Sequence, residues 1–208
     1  MTKYSKYQDY VIKDGKLIGE FEEMYRDYAD PWEQTSRELN AMEKFIGIKL
    51  IKGYGHSTPI EYGCGLGVFS NMLFQAVGNS VGVDISATAI KKAKKKYPGP
   101  NFIVGDILDE SLLTKYKPDV ICFVELSWYV LDKLEDFKKI LKNRPGTGFF
   151  HSLMTYEFGE QKYGNLYFSN LEEIIDYWSD IIEVSDWGSV GNDKYNGGSR
   201  TYFYGKVK

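Results

Sequence analysis

The stretch IEYGCGLGVFS, residues 60–70, sets Gly63, Gly65 and Gly67 at every second position directly behind a short apolar run. Glycine inside a regular element costs about 0.5–1 kcal/mol relative to alanine. Three at this spacing therefore mark a backbone that turns sharply out of a strand and comes close to something. A strand, a glycine turn and a helix together leave free backbone N–H groups at the helix start, where polar and anionic groups are favoured.

The segments that follow alternate. TPIEY reads as a strand and GVFSNMLFQAV as the helix behind the turn. SVGVD is a second strand, and Ser86 is placed to cap the helix ATAIKKAKKKY. PGP stops that helix, and NFIVGD is a third strand. PDVICFVEL is almost continuously apolar, as a strand covered on both faces of a parallel sheet should be. Asp132 and Glu135 are spaced as a capping pair ahead of a helix with Leu134, Phe137, Ile140 and Leu141 on one side. RPGTG then turns the chain into a fifth strand, FFHSLM.

The rhythm changes afterwards. SNLEEIIDYWSD is a helix with Asn170 as its cap. Strand-like IIEVSDW, a glycine-rich loop GSVGNDKYNGGS and a last strand RTYFYGKV form an antiparallel hairpin at one sheet edge. Upstream, GEFEEMYRDYAD and EQTSRELNAMEKFIGIKLI read as helices separated by DPW. The expectation is an α/β, Rossmann-like doubly wound fold in one domain over residues 1–208, with residues 1–55 as a helical N-terminal extension.

Composition narrows the function. A net charge of -3 offers no general attraction to nucleic acid. No run approaches the roughly 18 apolar residues that span a bilayer, and the opening MTKYSKYQDY lacks an apolar signal core. Cys64 and Cys122 both sit in segments that read as buried, so a reducing, cytoplasmic compartment is expected and a disulfide is not. Two histidines and two distant cysteines give no metal-ligand cluster.

Acidic residues stand at the carboxyl ends of successive strands. Asp84 can accept from both hydroxyls of a ribose, Glu61 lies before the turn within reach of an ammonium group, and Asp106 can accept from an adenine amino group with Ile107 covering the ring. The set suits a ligand with an amino-acid end, a ribose and an adenine. The pattern G-x-G-x-G departs from the dinucleotide fingerprint because Val68 holds the sixth position.

In this order and spacing, IEYGCGLGVFS, VGVDIS, NFIVGDIL and PDVICFVELSWYVL resemble the motifs of class I S-adenosylmethionine-dependent methyltransferases. YRDYADPWEQTSRELNAME also resembles the N-terminal region of small-molecule members of the nodulation-factor N-methylating type. The resemblance implies a seven-stranded sheet with an antiparallel last strand. It also implies S-adenosylmethionine as cofactor and S-adenosylhomocysteine as its product. It sets Glu61, Gly63, Gly65 and Gly67 at the methionine end, Asp84 and Ile85 at the ribose, Asp106 and Ile107 at the adenine, and Glu125 beneath the methyl group.

Beside these, Trp32 and Trp128 are candidate aromatic walls near the sulfonium, and Glu125, Tyr129 and His151 are candidate catalytic groups, His151 as a general base. Tyr156, Glu157 and Tyr163 are candidate polar contacts from an overhanging loop, and His56 reads as a loop residue. The expected partner is a polar small-molecule methyl acceptor such as a sugar, an amino-sugar conjugate or a natural-product intermediate, methylated on oxygen or nitrogen. Oligomeric state stays open.

Nucleic acid and membrane are not expected. VELSW stands where nucleic-acid N-methylating enzymes carry a D/N/S-P-P-aromatic motif, and KKAKKKY reads as a solvated helix face. Two other readings remain open at this point. A nicotinamide-dependent oxidoreductase would share the glycine turn and Asp84, and a non-catalytic cofactor-binding module would keep every motif.

Overall fold

The run VICFV is buried at all five positions, as a strand packed on both faces requires. It lies at the centre of the fold in the computed structural model, which describes residues 2–35, 41–156, 163–193 and 198–208. The chain begins with a 3₁₀ turn at Tyr7–Tyr10, a two-stranded ribbon of β1 (Ile12–Lys13) and β2 (Lys16–Leu17), and helices α1 (Phe21–Asp27) and α2 (Met42–Gly53). Strands and helices then alternate as β3 (Pro59–Tyr62), α3 (Val68–Val77), β4 (Val81–Asp84), α4 (Ala87–Lys96) and β5 (Asn101–Val104). The alternation continues through α5 (Glu110–Tyr116), β6 (Val120–Val124), α6 (Leu134–Lys142) and β7 (Gly148–Tyr156). Helix α7 (Leu171–Trp178) and strands β8 (Ile182–Asp193) and β9 (Gly198–Val207) complete it.

Seven strands form one sheet in the order β5-β4-β3-β6-β7-β9-β8. Strands β3 to β7 pair in parallel, and β9 enters antiparallel between β7 and β8. The expected doubly wound sheet with its C-terminal antiparallel hairpin is the observed one. Chain direction across the sheet reverses between β3 and β6, and ligands of such sheets bind outside the carboxyl ends at that switch point.

Both faces are covered. On one, Phe123 stacks on Phe137 at 4.8 Å and Phe149 lies 4.7 Å from Trp178. On the other, Ile51 of α2 joins Phe69, Leu73, Phe150 and Tyr204. Helix α2 thus packs on the sheet itself, and Gly47 permits it, since a Cβ there would stand 2.5 Å from the Phe150 ring.

The turn between β3 and α3 needs its glycines. Gly63, Gly65 and Gly67 have φ of 69°, 53° and 79°, the left-handed region that side chains disfavour. A Cβ on Gly67 would also stand 2.4 Å from the Phe102 ring. Gly78, at the end of α3, has the same φ of 79° but nothing within 4 Å of a Cβ. Gly67→Ala is therefore expected to cost about 2–4 kcal/mol, strain and overpacking together, and Gly78→Ala about 1 kcal/mol. Urea unfolding of the two variants checks the difference; equal costs would refute the packing argument.

Ser86 and Asn170 cap α4 and α7 as expected, accepting from the Ala89 and Glu173 N–H groups. Three local expectations are corrected. Asp132 and Glu135 form no capping pair: Asp132 lies in a 3₁₀ turn, α6 has no side-chain cap, and Glu135 instead accepts from the Tyr177 hydroxyl. The loop GSVGNDKYNGGS is largely strand, because β8 runs on to Asp193 opposite Gly198, with irregularities at Val184/Asp186 and Val190/Asn192 absorbing the extra residues. The N-terminal extension is not wholly helical, since Ile12↔Leu17 and Lys13↔Lys16 pair as a small ribbon.

Candidate functional site

The carboxyl ends of β3, β4, β5 and β6 open into a cavity of about 480 Å³ beside the glycine turn, within the usual range for small-ligand sites. Glu61, Gly63, Asp84, Ile85, Asp106, Ile107, Glu125, Tyr129 and Trp32 all line it. These come from residues up to 97 positions apart in the chain, Trp32 and Tyr129 included. Gly65 and Gly67 belong to the same turn without lining the wall: Gly65 is covered by Gln34 and Tyr25, and Gly67 faces Phe102.

Asp84 binds the turn together. Its Oδ2 accepts from the Gly65 N–H at 2.8 Å and its Oδ1 from the Ser86 N–H at 2.9 Å. Burial raises its pKa against these two bonds. Each oxygen keeps a further lone pair for a ligand donor. Glu61 is 3% exposed and takes the Ser70 hydroxyl as donor, and burial lifts its pKa to about 7. A carboxylate held this far from water is stabilised by an incoming cation.

Asp106 is different. Burial raises its pKa, but the Lys133 ammonium bonded to Oδ2 and the Leu108 N–H bonded to Oδ1 outweigh it, and the net shift is downward. Ile85 and Ile107 both line the cavity, one exposed and one buried.

The N-terminal segment closes the site from above. Both Glu22 oxygens bond the start of α4, taking the Ser86 and Thr88 hydroxyls at 2.7 and 2.6 Å and the Thr88 N–H at 3.1 Å. Lys92 donates to the carbonyls of Tyr25, Tyr28 and Ala29. The KKAKKKY helix face is otherwise exposed at Lys91, Lys94, Lys95 and Lys96, as expected of a solvated face. Gln34 Oε1 accepts from the Leu66 N–H at 2.8 Å, directly on the glycine turn. Trp32 stands edge-on to Tyr7 at 5.0 Å and tilted against Tyr129 at 5.4 Å, with Phe21 on the other side of Tyr129 at 5.7 Å.

These anchors yield a prediction. Glu22→Ala removes three bonds to α4 and is expected to raise hydrogen exchange in residues 21–29 at least tenfold while leaving β3 and β6 unchanged. Uniform protection across both regions would refute a docked lid held by Glu22.

His151 is corrected. It is 0% exposed in the middle of β7, its Nε2 paired with the Ser127 hydroxyl at 2.7 Å and its ring stacked on Phe203 at 5.1 Å. Burial lowers its pKa to about 3, and it is not on the cavity wall. A neutral ring sealed in the core serves no acceptor as a base. Trp128 lines the cavity but donates its indole N–H to the Met154 carbonyl and packs on Phe168. Tyr156 reaches the cavity, Tyr163 packs against the core instead, and Glu157 lies outside the described residues. His56 lies in the loop after α2 as expected, half-buried, its Nε2 paired with the Tyr204 hydroxyl at 2.6 Å.

Part of the cavity wall was not foreseen from sequence. Glu43 and Lys44 come from α2, Arg200 from β9, and Tyr7 and Phe21 from the N-terminal segment. No short motif marks them, because they meet only when α2 and β9 dock on the sheet. Both cysteines are buried and unbridged, and no cluster of metal-binding side chains occurs among the described residues.

The comparisons agree with this geometry. The chain is 27% identical over 166 residues to methyltransferase 235L of Invertebrate iridescent virus 6, covering 72% of this chain and 62% of that protein. It is 27% identical over 146 residues to the malonyl-acyl-carrier protein O-methyltransferase of Hamiltonella defensa, covering 69% of this chain and 52% of that one. The chain thus spans between about half and three fifths of the length of these curated relatives. The crystal structure of the N-methyltransferase NodS from Bradyrhizobium japonicum WM9 with S-adenosyl-l-homocysteine superposes with a TM-score of 0.69 at 16% identity. That match covers 86% of this chain and 93% of NodS, a likeness of fold. A methyltransferase domain model matches residues 55–165, which run from the loop before β3 past the end of β7 and so take in every strand end around the cavity. With more than half of its 208 residues inside that match, the chain belongs to the methyltransferase domain family.

Proposed function

We propose that the chain is an S-adenosylmethionine-dependent methyltransferase that methylates an oxygen or nitrogen of a polar small molecule. One observation carries the cofactor reading. Glu61, Asp84 and Asp106 stand at the carboxyl ends of β3, β4 and β5 around one cavity, beside a turn whose glycines let the backbone approach.

The residues present fit the cofactor. Buried Glu61 lacks a cationic hydrogen-bond partner among the described residues and would accept from an ammonium group, and Lys44 on the same wall lies close enough to lower the Glu61 pKa and would face the neighbouring carboxylate. Asp84 would take the ribose hydroxyls, Asp106 the adenine amino group, and Ile85 and Ile107 the two ring faces. Trp32 and Tyr129 offer π faces to a positive centre. When bound, S-adenosylmethionine supplies a methyl group activated by its sulfonium charge. The chain's own contribution is then alignment, worth about 7–11 kcal/mol when two reactants are held well, and exclusion of water by the N-terminal segment.

The test is binding of the known product. At 100 times its dissociation constant a ligand stabilises a fold by about 2.7 kcal/mol, so S-adenosylhomocysteine is expected to raise the melting temperature by several degrees and NAD to leave it unchanged. A rise with NAD alone would overturn the reading in favour of redox chemistry. Stabilisation by S-adenosylmethionine with no transfer to any acceptor in a broad screen would favour a binding module instead.

A further inference from the structure

Glu125 has φ of 57°, in the left-handed region that few residues other than glycine adopt. Strain of this kind persists only where surrounding structure imposes it, and it concentrates at functional sites. Here it follows the last residue of β6 and carries the side chain across to the end of β7, where Oε2 accepts from the Met154 N–H at 3.0 Å. The other oxygen, Oε1, is buried and has no hydrogen-bond partner among the described residues.

A second carboxylate is in the same condition. Glu43 is 2% exposed, lines the cavity, and leaves its Oε2 without a hydrogen bond among the described residues. Among the described residues it is paired with the Arg200 guanidinium, whose Nε stands 3.8 Å away, too far for a hydrogen bond. Arg200 sits opposite Met154 in the β7–β9 register, so the peptide that anchors Glu125 and the residue that faces Glu43 share one rung of the sheet. Buried acceptors without donors are rare and costly, and two of them on one cavity wall point to a ligand that brings donors.

We propose that Glu43, Glu125 and Arg200 form the acceptor subsite and that the acceptor is a small zwitterion bearing a protonated amine and a carboxylate. The proposal rests on the cofactor reading above and deepens it. Glu125 Oε1 and Glu43 Oε2 accept N–H bonds from the ammonium group, and the Arg200 guanidinium, loosely held by Glu43, pairs with the carboxylate in the planar fork that arginine provides. An ammonium nitrogen has no lone pair to donate. Its N–H bond must break, the proton passing to Glu125 Oε1 and the electron pair staying on nitrogen; that pair would then form the N–CH3 bond as the methyl–sulfur bond breaks, its electrons staying on sulfur and neutralising the sulfonium.

Burial, with Glu43 as a further raising charge, sets the Glu125 pKa at about 7, against the opposing pull of the Met154 N–H, Lys44 and Arg200. The carboxyl is thus able to hold that proton near neutrality. Tyr129 and Tyr156, the other titratable groups facing it, are themselves shifted upward by burial and by the Glu125 charge. They stay protonated and do not compete.

The experiment is calorimetric titration of the protein saturated with S-adenosylhomocysteine. The probes are glycine, β-alanine, 4-aminobutyrate and 6-aminohexanoate, each beside the amine, the carboxylate and the hydroxy acid of equal length. At least one amino acid is expected to bind tenfold or more tightly than its matched amine and carboxylate. Arg200→Gln removes the advantage over the amine, Arg200→Lys restores part of it, and Glu125→Gln removes the advantage over the hydroxy acid. Retained S-adenosylhomocysteine affinity shows that each variant is folded. If the wild type binds S-adenosylhomocysteine but no amino acid binds more tightly than its monofunctional analogues, the subsite assignment is overturned and the cofactor reading stands. If S-adenosylhomocysteine itself does not bind, both fall.

Discussion

Asp84→Ala lowers the affinity for S-adenosylhomocysteine by at least about 100-fold and removes the ligand-dependent rise in melting temperature. Hydrogen bonds to a charged group contribute about 1.5–3 kcal/mol each, and a ribose offers two hydroxyls to this one carboxylate. Loss of both is worth about 3–6 kcal/mol, or two to four decades in the dissociation constant. The substitution acts a second time through the backbone, because Asp84 holds the Gly65 N–H on one oxygen and the Ser86 N–H on the other. Asp84→Asn separates the effects, since its amide oxygen still accepts from one of them. Titration calorimetry on both variants reads the result. Affinity within threefold of wild type in Asp84→Ala would refute the ribose assignment.

Buried Glu61 and Glu125 make the ligand-free protein lose stability as pH rises from 5 to 8, relative to variants that lack these carboxyls. Glu61 has a folded pKa of about 7 against 4.5 for a free glutamate side chain, with burial as the main cause. The folded state therefore holds this proton more tightly than the unfolded chain. Its stabilising contribution is complete below pH ~4.5, declines above it, and is gone once pH exceeds the folded value of about 7. One pKa unit corresponds to 1.36 kcal/mol, so the loss is on the order of 3 kcal/mol. Glu125 shifts in the same direction to about 7, and Asp84 is also raised. The three effects have one sign, and His151, lowered to about 3 by burial, opposes them below pH ~6.5, so the share of Glu61 is the difference between wild type and variant.

Urea unfolding at pH 5, 6, 7 and 8 measures the slope. Glu61→Gln keeps a neutral polar group in place of the carboxyl and is expected to flatten it. Saturating S-adenosylhomocysteine is expected to flatten it as well, because its ammonium group stabilises the ionised carboxylate and binding then releases a proton. A Glu61→Gln slope equal to that of wild type would show that Glu61 is not buried as a strained acid.

Much of the strand-end rim of the cavity was legible in the sequence. Glu61, Asp84 and Asp106 were found because each follows a short apolar run and precedes a turn, and a parallel sheet brings such ends together automatically. The glycine turn was found because positive φ demands glycine, and Gly63, Gly65 and Gly67 all have it. His151 was misjudged for the opposite reason. Its neighbours FF and SL say that it is in a strand, but not that β9 would cover it and seal its ring against Phe203. The expected capping pair at Asp132 failed because the chain leaving β6 makes two 3₁₀ turns before α6, and spacing alone does not reveal them.

By itself the sequence determined the order of strands and helices, the glycine turn and the acids at the strand ends, since each follows from periodicity or backbone geometry over fewer than about ten residues. Tertiary structure alone decided which residues face those acids across the cavity. Glu43 and Arg200 are 157 positions apart, yet their charged groups lie 3.8 Å from each other. Gln34 reaches the Leu66 N–H from 32 residues upstream. Such meetings depend on how α2, the N-terminal segment and β9 pack on the two faces and the edge of the sheet. That packing is driven by buried apolar area summed over the whole core, a quantity no local stretch of sequence contains.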